Sequence, residues 1–136
     1  MHIKKKTLCP EVHSRPIGAY SPGMSLKLSD QMTLVFVAGQ VATDEDGQVL
    51  HPSDAAGQTR IVFERIASVL DEAGGDLSHL VSLTIYVTDL ADFDAVSGIR
   101  NEILGRRRLA PASALVQVAG LVEAGCLVEI SAIAAL

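Results

Sequence analysis

The sequence predicts an α+β fold: one mixed, mostly antiparallel sheet with two helices packed on one of its faces. Three observations carry this reading. Five or six short strand-like runs are spread along 136 residues, a length that suits one domain over residues 1–136. Only two stretches have helical periodicity, and a strand separates them, giving the order β-β-β-α-β-α-β-β. Finally, the strands sort by parity into purely aliphatic sets and mixed sets, so one sheet face is built for a dry core and the other is not.

Each element has a local reason. IKKKTL (3–8) reads as a short edge strand whose lysines discourage pairing with another chain. SRPIGAYSPG (14–23) is a loop with fixed turns, being rich in Pro, Gly and Ser. SLKL and TLVFVAG form two strands joined near Ser29–Asp30, and DEDG (44–47) is a turn. The first helix starts at Pro52–Ser53; Ala55, Ala56, Val62, Phe63, Ile66, Val69, Leu70 and Ala73 recur at helical spacing, and Gly74–Gly75 stops it. LVSLTIYVT (80–88) is a strand. Asp92 to about Leu104 is a second amphipathic helix with Phe93, Val96, Ile99 and Ile103 inward, followed by strands at 112–119 and 126–134.

Strand parity carries a functional expectation. Leu83, Ile85 and Val87, then Ala114, Val116 and Val118, then Val128, Ile130 and Ala132 are expected under the helices. The opposite sets are too apolar for water and too polar for a dry core. Two helices cannot cover both faces, so the mixed face is expected to meet another subunit.

Composition excludes several classes. Hydrophobic residues are 49% and charged residues 20%, which suits a packed core rather than disorder. Aromatics are 4%, Trp is absent and the net charge is −5, a poor match to a nucleic-acid groove; the basic runs Lys4–Lys6 and Arg106–Arg108 read as solvated surface. Met1–Lys6 is not followed by a signal-like apolar run, and no apolar run nears the roughly 20 residues that span a bilayer. The expected location is the cytoplasm, with Cys9 and Cys126 reduced. His2, His13, His51 and His79 are scattered and no metal-ligand spacing occurs, so no metal is expected.

Glu129 is the sharpest candidate. It stands between Val128 and Ile130 in an otherwise apolar strand, on the mixed face with Ser131. If the last two strands are neighbours, Ser113, Leu115 and Gln117 share that face. Its bland role is a carboxylate reaching water at a strand edge; its functional role is a buried acid/base that holds water. Tyr20 is either a lid or a packing anchor. Arg100 follows Ser97 by three residues and shares its helix face. No G-x-S-x-G elbow supports a serine triad with His51 or His79. Cys126 reads as a small core hydrophobe.

Taken in order, PIGAYSPG, LVFVAGQVATDEDGQV, the helix-glycine-strand run from AAGQTRIVFERI to DLADFDAV, PASALVQVAGL and LVEISAIA resemble the Rid family, the YjgF-like reactive intermediate deaminases also labelled endoribonuclease L-PSP. The resemblance runs from about Arg15 to Ala134. It implies a chorismate-mutase-like fold, a homotrimer with small-molecule clefts between subunits, and cofactor-free hydrolysis of enamines and imines in the deaminase members. It implies Tyr20 as the cleft-closing tyrosine, Glu129 and the Leu115 carbonyl as the water holders, and Gly39 as the cleft-facing glycine, with Ala38 where the family has serine. Ser97 stands where deaminases carry asparagine, and Ser113 stands in place of the arginine that clamps the substrate carboxylate. The expected function is therefore an altered imine or enamine hydrolase, with Arg100 as a candidate replacement clamp. The alternatives are a non-catalytic metabolite-binding trimer and, disfavoured by charge and composition, an endoribonuclease.

Overall fold

A computed structural model describes residues 3–11, 18–105 and 110–136. Arg106–Arg108, His2, His13 and the first part of the 14–23 loop lie outside the described residues. The chain order is β1 (Lys4–Leu8), β2 (Gly23–Ser29), β3 (Met32–Gln40), α1 (Ala55–Glu72), β4 (Leu80–Val87), α2 (Phe93–Leu104), β5 (Ala112–Gln117) and β6 (Val128–Ala135). The six strands form one sheet in the order β1-β2-β3-β6-β4-β5. Every pairing is antiparallel except β4 with β5, which the crossover through α2 makes parallel.

The helices start and stop where local chemistry allows. Asp54 caps α1 by accepting the Gly57 N–H at 2.9 Å, so the helix begins at Ala55 rather than at Pro52–Ser53. It ends at a glycine in the left-handed region, Gly74 at φ 86°, with the Gly75 N–H returned to the Leu70 carbonyl at 2.8 Å. Gly105, at φ 70°, caps α2 and donates its own N–H to the Asn101 carbonyl at 2.9 Å. Arg60 of α1 forms an ion pair with Glu102 of α2 on the outer surface.

Register settles which face is which. Leu83, Ile85 and Val87 of β4 pair with Ala132, Ile130 and Val128 of β6, and all lie buried under the helices with Val35, Val37, Val62, Phe63, Ile66 and Val96. Gly23 lets α1 approach closely, because a Cβ there would lie 2.3 Å from Val69 Cγ1.

β5 corrects the sequence reading twice. It pairs with β4, not β6, and it forms the edge of the sheet. Ser113, Leu115 and Gln117 align with Leu83, Ile85 and Val87, so they point to the helix side; Ala114 and Val116 point to the open side. Leu115 packs against the core while Val116 is 44% exposed. Parity correctly separated the two sets but assigned them to the wrong faces, because an edge strand is only partly covered and its small residues fit either side.

Gln58 was not singled out by sequence. It is fully buried in α1, and its Nε2 donates to the carbonyls of His51 (3.2 Å) and Gly125 (3.0 Å) while its Oε1 accepts the Leu127 N–H (2.8 Å). One amide side chain thus ties the start of α1 to the loop entering β6 and satisfies three backbone groups.

Candidate functional site

The open face of the sheet has two zones. Met24 and Leu26 of β2, Leu34 and Phe36 of β3 and Ile133 of β6 form an apolar zone that no described element of the chain covers. Phe36 is 40% exposed there. Thr84 and Tyr86 of β4 beside Ser131 and Glu129 of β6 form a polar zone. Monomeric proteins seldom leave so continuous an apolar strip on a sheet.

Glu129 pairs across the ladder with Tyr86, which pairs in turn with Val116. On its other side lies Gly39, at the irregularity where β3 slips register between Val37 and Gln40. A Cβ on Gly39 would stand 2.6 Å from Glu129 Oε2, so only glycine lets the backbone lie against the carboxylate. No hydrogen bond or ion pair reaches that carboxylate from the described residues. It is half-buried, and burial raises its pKa above the usual carboxylate range.

That shift has a consequence for stability. At pH below the unfolded carboxylate range the group is protonated in both states and makes no difference. As pH rises through that range and then through the folded value, the unfolded chain releases its proton first, so the fold loses stability. Glu129→Gln is therefore expected to melt higher than the wild type at neutral pH, with the gap closing as pH falls below the carboxylate range. Thermal unfolding at several pH values checks this; a gap that is constant with pH contradicts it.

On the opposite face, Arg100 of α2 reaches β5, and Ser97 precedes it by three residues on the same helix face. Ser97 is 9% exposed. Arg100 Nη1 donates to Ser113 Oγ at 3.5 Å and its Nε to Asn101 Oδ1 at 3.3 Å. At the other end of this seam the Gln117 Oε1 accepts the Leu90 N–H at 2.9 Å. The structure thus brings Gly39 to Glu129 and Arg100 to Ser113, but it separates these pairs. Ser113 and Glu129 face opposite sides of the sheet with β4 between them, so within one chain they cannot act on the same small molecule. Tyr20 is 53% exposed, just ahead of Pro22, whose carbonyl accepts the Ala38 N–H at 2.8 Å.

Other clusters have structural explanations. Asp76, Ser78 and His79 have the residue types of a triad, yet the Ser78 hydroxyl donates to Asp76 and His79 Nδ1 accepts the Asp76 N–H, closing a capped 3-10 turn (Leu77–His79). Cys126 is buried, and burial, then Glu123 and Glu129, push its thiol pKa up, which keeps it protonated. Among the described residues no group of His, Cys, Asp and Glu has metal-binding geometry. No helix there is long and apolar enough to cross a membrane. A groove of about 1260 Å³ between the ends of α1 and α2 holds none of the candidate residues. It is lined by Glu11 and Ala110, next to stretches outside the described residues, and Glu72 on its rim is already engaged with the Cys9 N–H at 2.7 Å.

Fold and site together define an α+β protein with a half-buried carboxylate that has no partner among the described residues, on a sheet face that no described element covers. The family model for endoribonuclease L-PSP matches residues 12–136. The 3-aminoacrylate deaminase RutC of Acinetobacter baylyi is 35% identical over 132 residues, covering 97% of this chain and 98% of that protein. Among solved structures, the Rid-family protein YyfA of Yersinia pestis superposes with a TM-score of 0.84 at 28% identity, covering 98% of this chain and all of that one. The E. coli protein TdcF, solved with bound serine, gives 0.78 at 27% identity, covering 95% of this chain and 97% of that one. The chain belongs to the endoribonuclease L-PSP family, the Rid or YjgF-like proteins, and has their fold.

Proposed function

We propose that this protein is a homotrimeric hydrolase of imines, enamines or related electrophiles, with a cleft where the Glu129 face of one copy meets the β5 edge of the next. The observation that carries the reading is the Glu129 carboxylate: half-buried, without a partner among the described residues, and laid against the Gly39 backbone on a face that no described element covers. A copy docked there would bring Ser113, on the far side of its own sheet, toward the neighbour's Glu129. The deaminase relative supports the chemistry and the serine-bound relative supports a small ligand.

In this reading Glu129 takes a proton from water as the oxygen attacks the C=N carbon and the π electrons move to nitrogen. The protonated carboxyl then returns the proton to nitrogen, giving a carbinolamine; Glu129 next carries the hydroxyl proton to nitrogen as the C–N bond breaks, so ammonia leaves as the carbonyl forms. An enamine first gains a proton at carbon and gives one up from nitrogen, becoming the imine. A pKa raised by burial above the usual carboxylate range suits a group that must do both. Tyr20 closes the cleft, and the Leu115 carbonyl and Gly39 complete the water and ligand contacts. No cofactor is needed.

The test is ammonia release from freshly generated 3-aminoacrylate and 2-iminopropionate. Release well above buffer by the wild type is expected, and release no faster than buffer contradicts the reading. A second reading rests on Ser113: with no guanidinium on the strand, the clefts hold a metabolite without turnover. A ligand that raises the melting temperature but is recovered unchanged would favour it.

A further inference from the structure

We infer that Arg100 is the residue that selects a carboxylate substrate, reaching over the β5 edge from α2, with the Ser113 and Ser97 hydroxyls beside it. This deepens the hydrolase reading and rests on it for its chemistry, though not for its binding test.

Arg100 has unspent hydrogen-bonding capacity. A guanidinium carries five N–H donors, and Arg100 uses two, both on long bonds to neutral oxygens at 3.5 and 3.3 Å. No carboxylate among the described residues pairs with it. The other described arginines are committed: Arg60 to Glu102, and Arg65 to the Thr43 carbonyl. Arg100 also sits in the third turn of a helix whose outward acids, Asp94 and Glu102, do not reach it.

Ser97 adds an independent sign. The residue is 9% exposed and its hydroxyl has no hydrogen-bond partner among the described residues, a state rare enough in a buried polar group to call for an absent partner. Residues 93, 97 and 100 fall within about 60° of one another on the helix, so Ser97 faces the same seam as Arg100 and Phe93. Phe93 is 43% exposed at the far end, where Gln117 and Leu90 close the seam. The open end holds a cation and two hydroxyls, Ser113 exposed and Ser97 buried.

Such a set fits a planar anion. The guanidinium can present two parallel N–H donors to a carboxylate while a hydroxyl donates to either oxygen. The chemical class is therefore an imino or enamino acid, with its uncharged amide or ester as the rejected analogue. The clamp is carried by the helix, so loss of an arginine from the strand at position 113 does not imply loss of acid recognition.

The test compares 3-aminoacrylate with 3-aminoacrylamide, and adds an NMR titration with propionate that needs no turnover. Arg100→Ala is expected to raise KM for the acid about thirtyfold or more and to leave the amide within about twofold, since a charge-assisted pair acts only on the anion. Propionate binding should be lost. Arg100→Lys should recover part of the effect, and Arg100→Ala with Ser113→Arg most of it, because the guanidinium is then returned from the strand. Equal losses on acid and amide, or propionate binding unchanged in Arg100→Ala, overturn the inference. Failure of the hydrolase reading looks different: neither compound is turned over by the wild type, while propionate still separates wild type from Arg100→Ala.

Discussion

Glu129→Gln is expected to lower turnover of an imine or enamine substrate by about 10²–10⁴-fold while ligand binding stays within a few-fold. Glutamine keeps the shape and a carbonyl oxygen, so it fills the same space beside Gly39 and Tyr86. It cannot take a proton from water or return one to nitrogen. The signature is a fall in kcat with little change in KM, read from ammonia release under saturating substrate. Because the carboxylate has no partner among the described residues, its removal strands no other group, and the variant should fold at least as well as the wild type. Any ribonuclease activity that survives this substitution belongs to a contaminant rather than to this site.

The largest expected effect on stability lies elsewhere, at Gln58→Leu. Leucine matches the volume and removes every polar atom, leaving the His51 and Gly125 carbonyls and the Leu127 N–H without their partner. The Leu127 donor is the costliest loss, since a carbonyl has a second lone pair and a buried N–H has no alternative. A loss of about 2–4 kcal/mol is expected, the range for breaking a buried hydrogen-bond network. Urea unfolding measures it. A change below about 0.5 kcal/mol, the scale of an ordinary surface substitution, would mean that the loop before β6 re-forms its bonds without the amide.

These two residues also mark what the sequence made legible. Glu129 stood out because a charge in an aliphatic strand breaks the local pattern, and alternation then fixed its face. The same alternation located the helix-side faces of β4 and β6, where Leu83, Ile85, Val87, Val128 and Ile130 are buried. On β5 it failed. Ala114 and Val116 are more uniformly aliphatic than Ser113, Leu115 and Gln117, yet it is Leu115 that reaches the core, since the parallel pairing with β4 sets the register. Gln58 carried a signal that composition hides: it falls on the stripe of Ala55, Val62, Ile66 and Val69, where a polar residue must be satisfied internally. The Arg100–Ser113 contact joins residues thirteen apart through a crossover, and helix periodicity gave only the face of Arg100.

The face assignment gives the account its main structural consequence. Glu129 and the Arg100–Ser113 pair are on opposite sides of one sheet, so the proposed cleft needs two copies. Uncovered apolar residues at Phe36, Val116 and Ile133 on the Glu129 face fit a surface that is buried by docking.

The measurement that tests this most directly is subunit complementation. Glu129→Gln and Ser113→Trp, the second chosen to block the β5 side of the cleft, are co-expressed with different tags and purified over both. Each parent alone should be inactive. Every trimer that carries both tags holds both variants, and in either composition one cleft in three combines an intact Glu129 with an intact Ser113 from its neighbour, so the mixture should regain roughly a third of wild-type ammonia release. A verified mixture as inactive as its parents would contradict a site shared between copies.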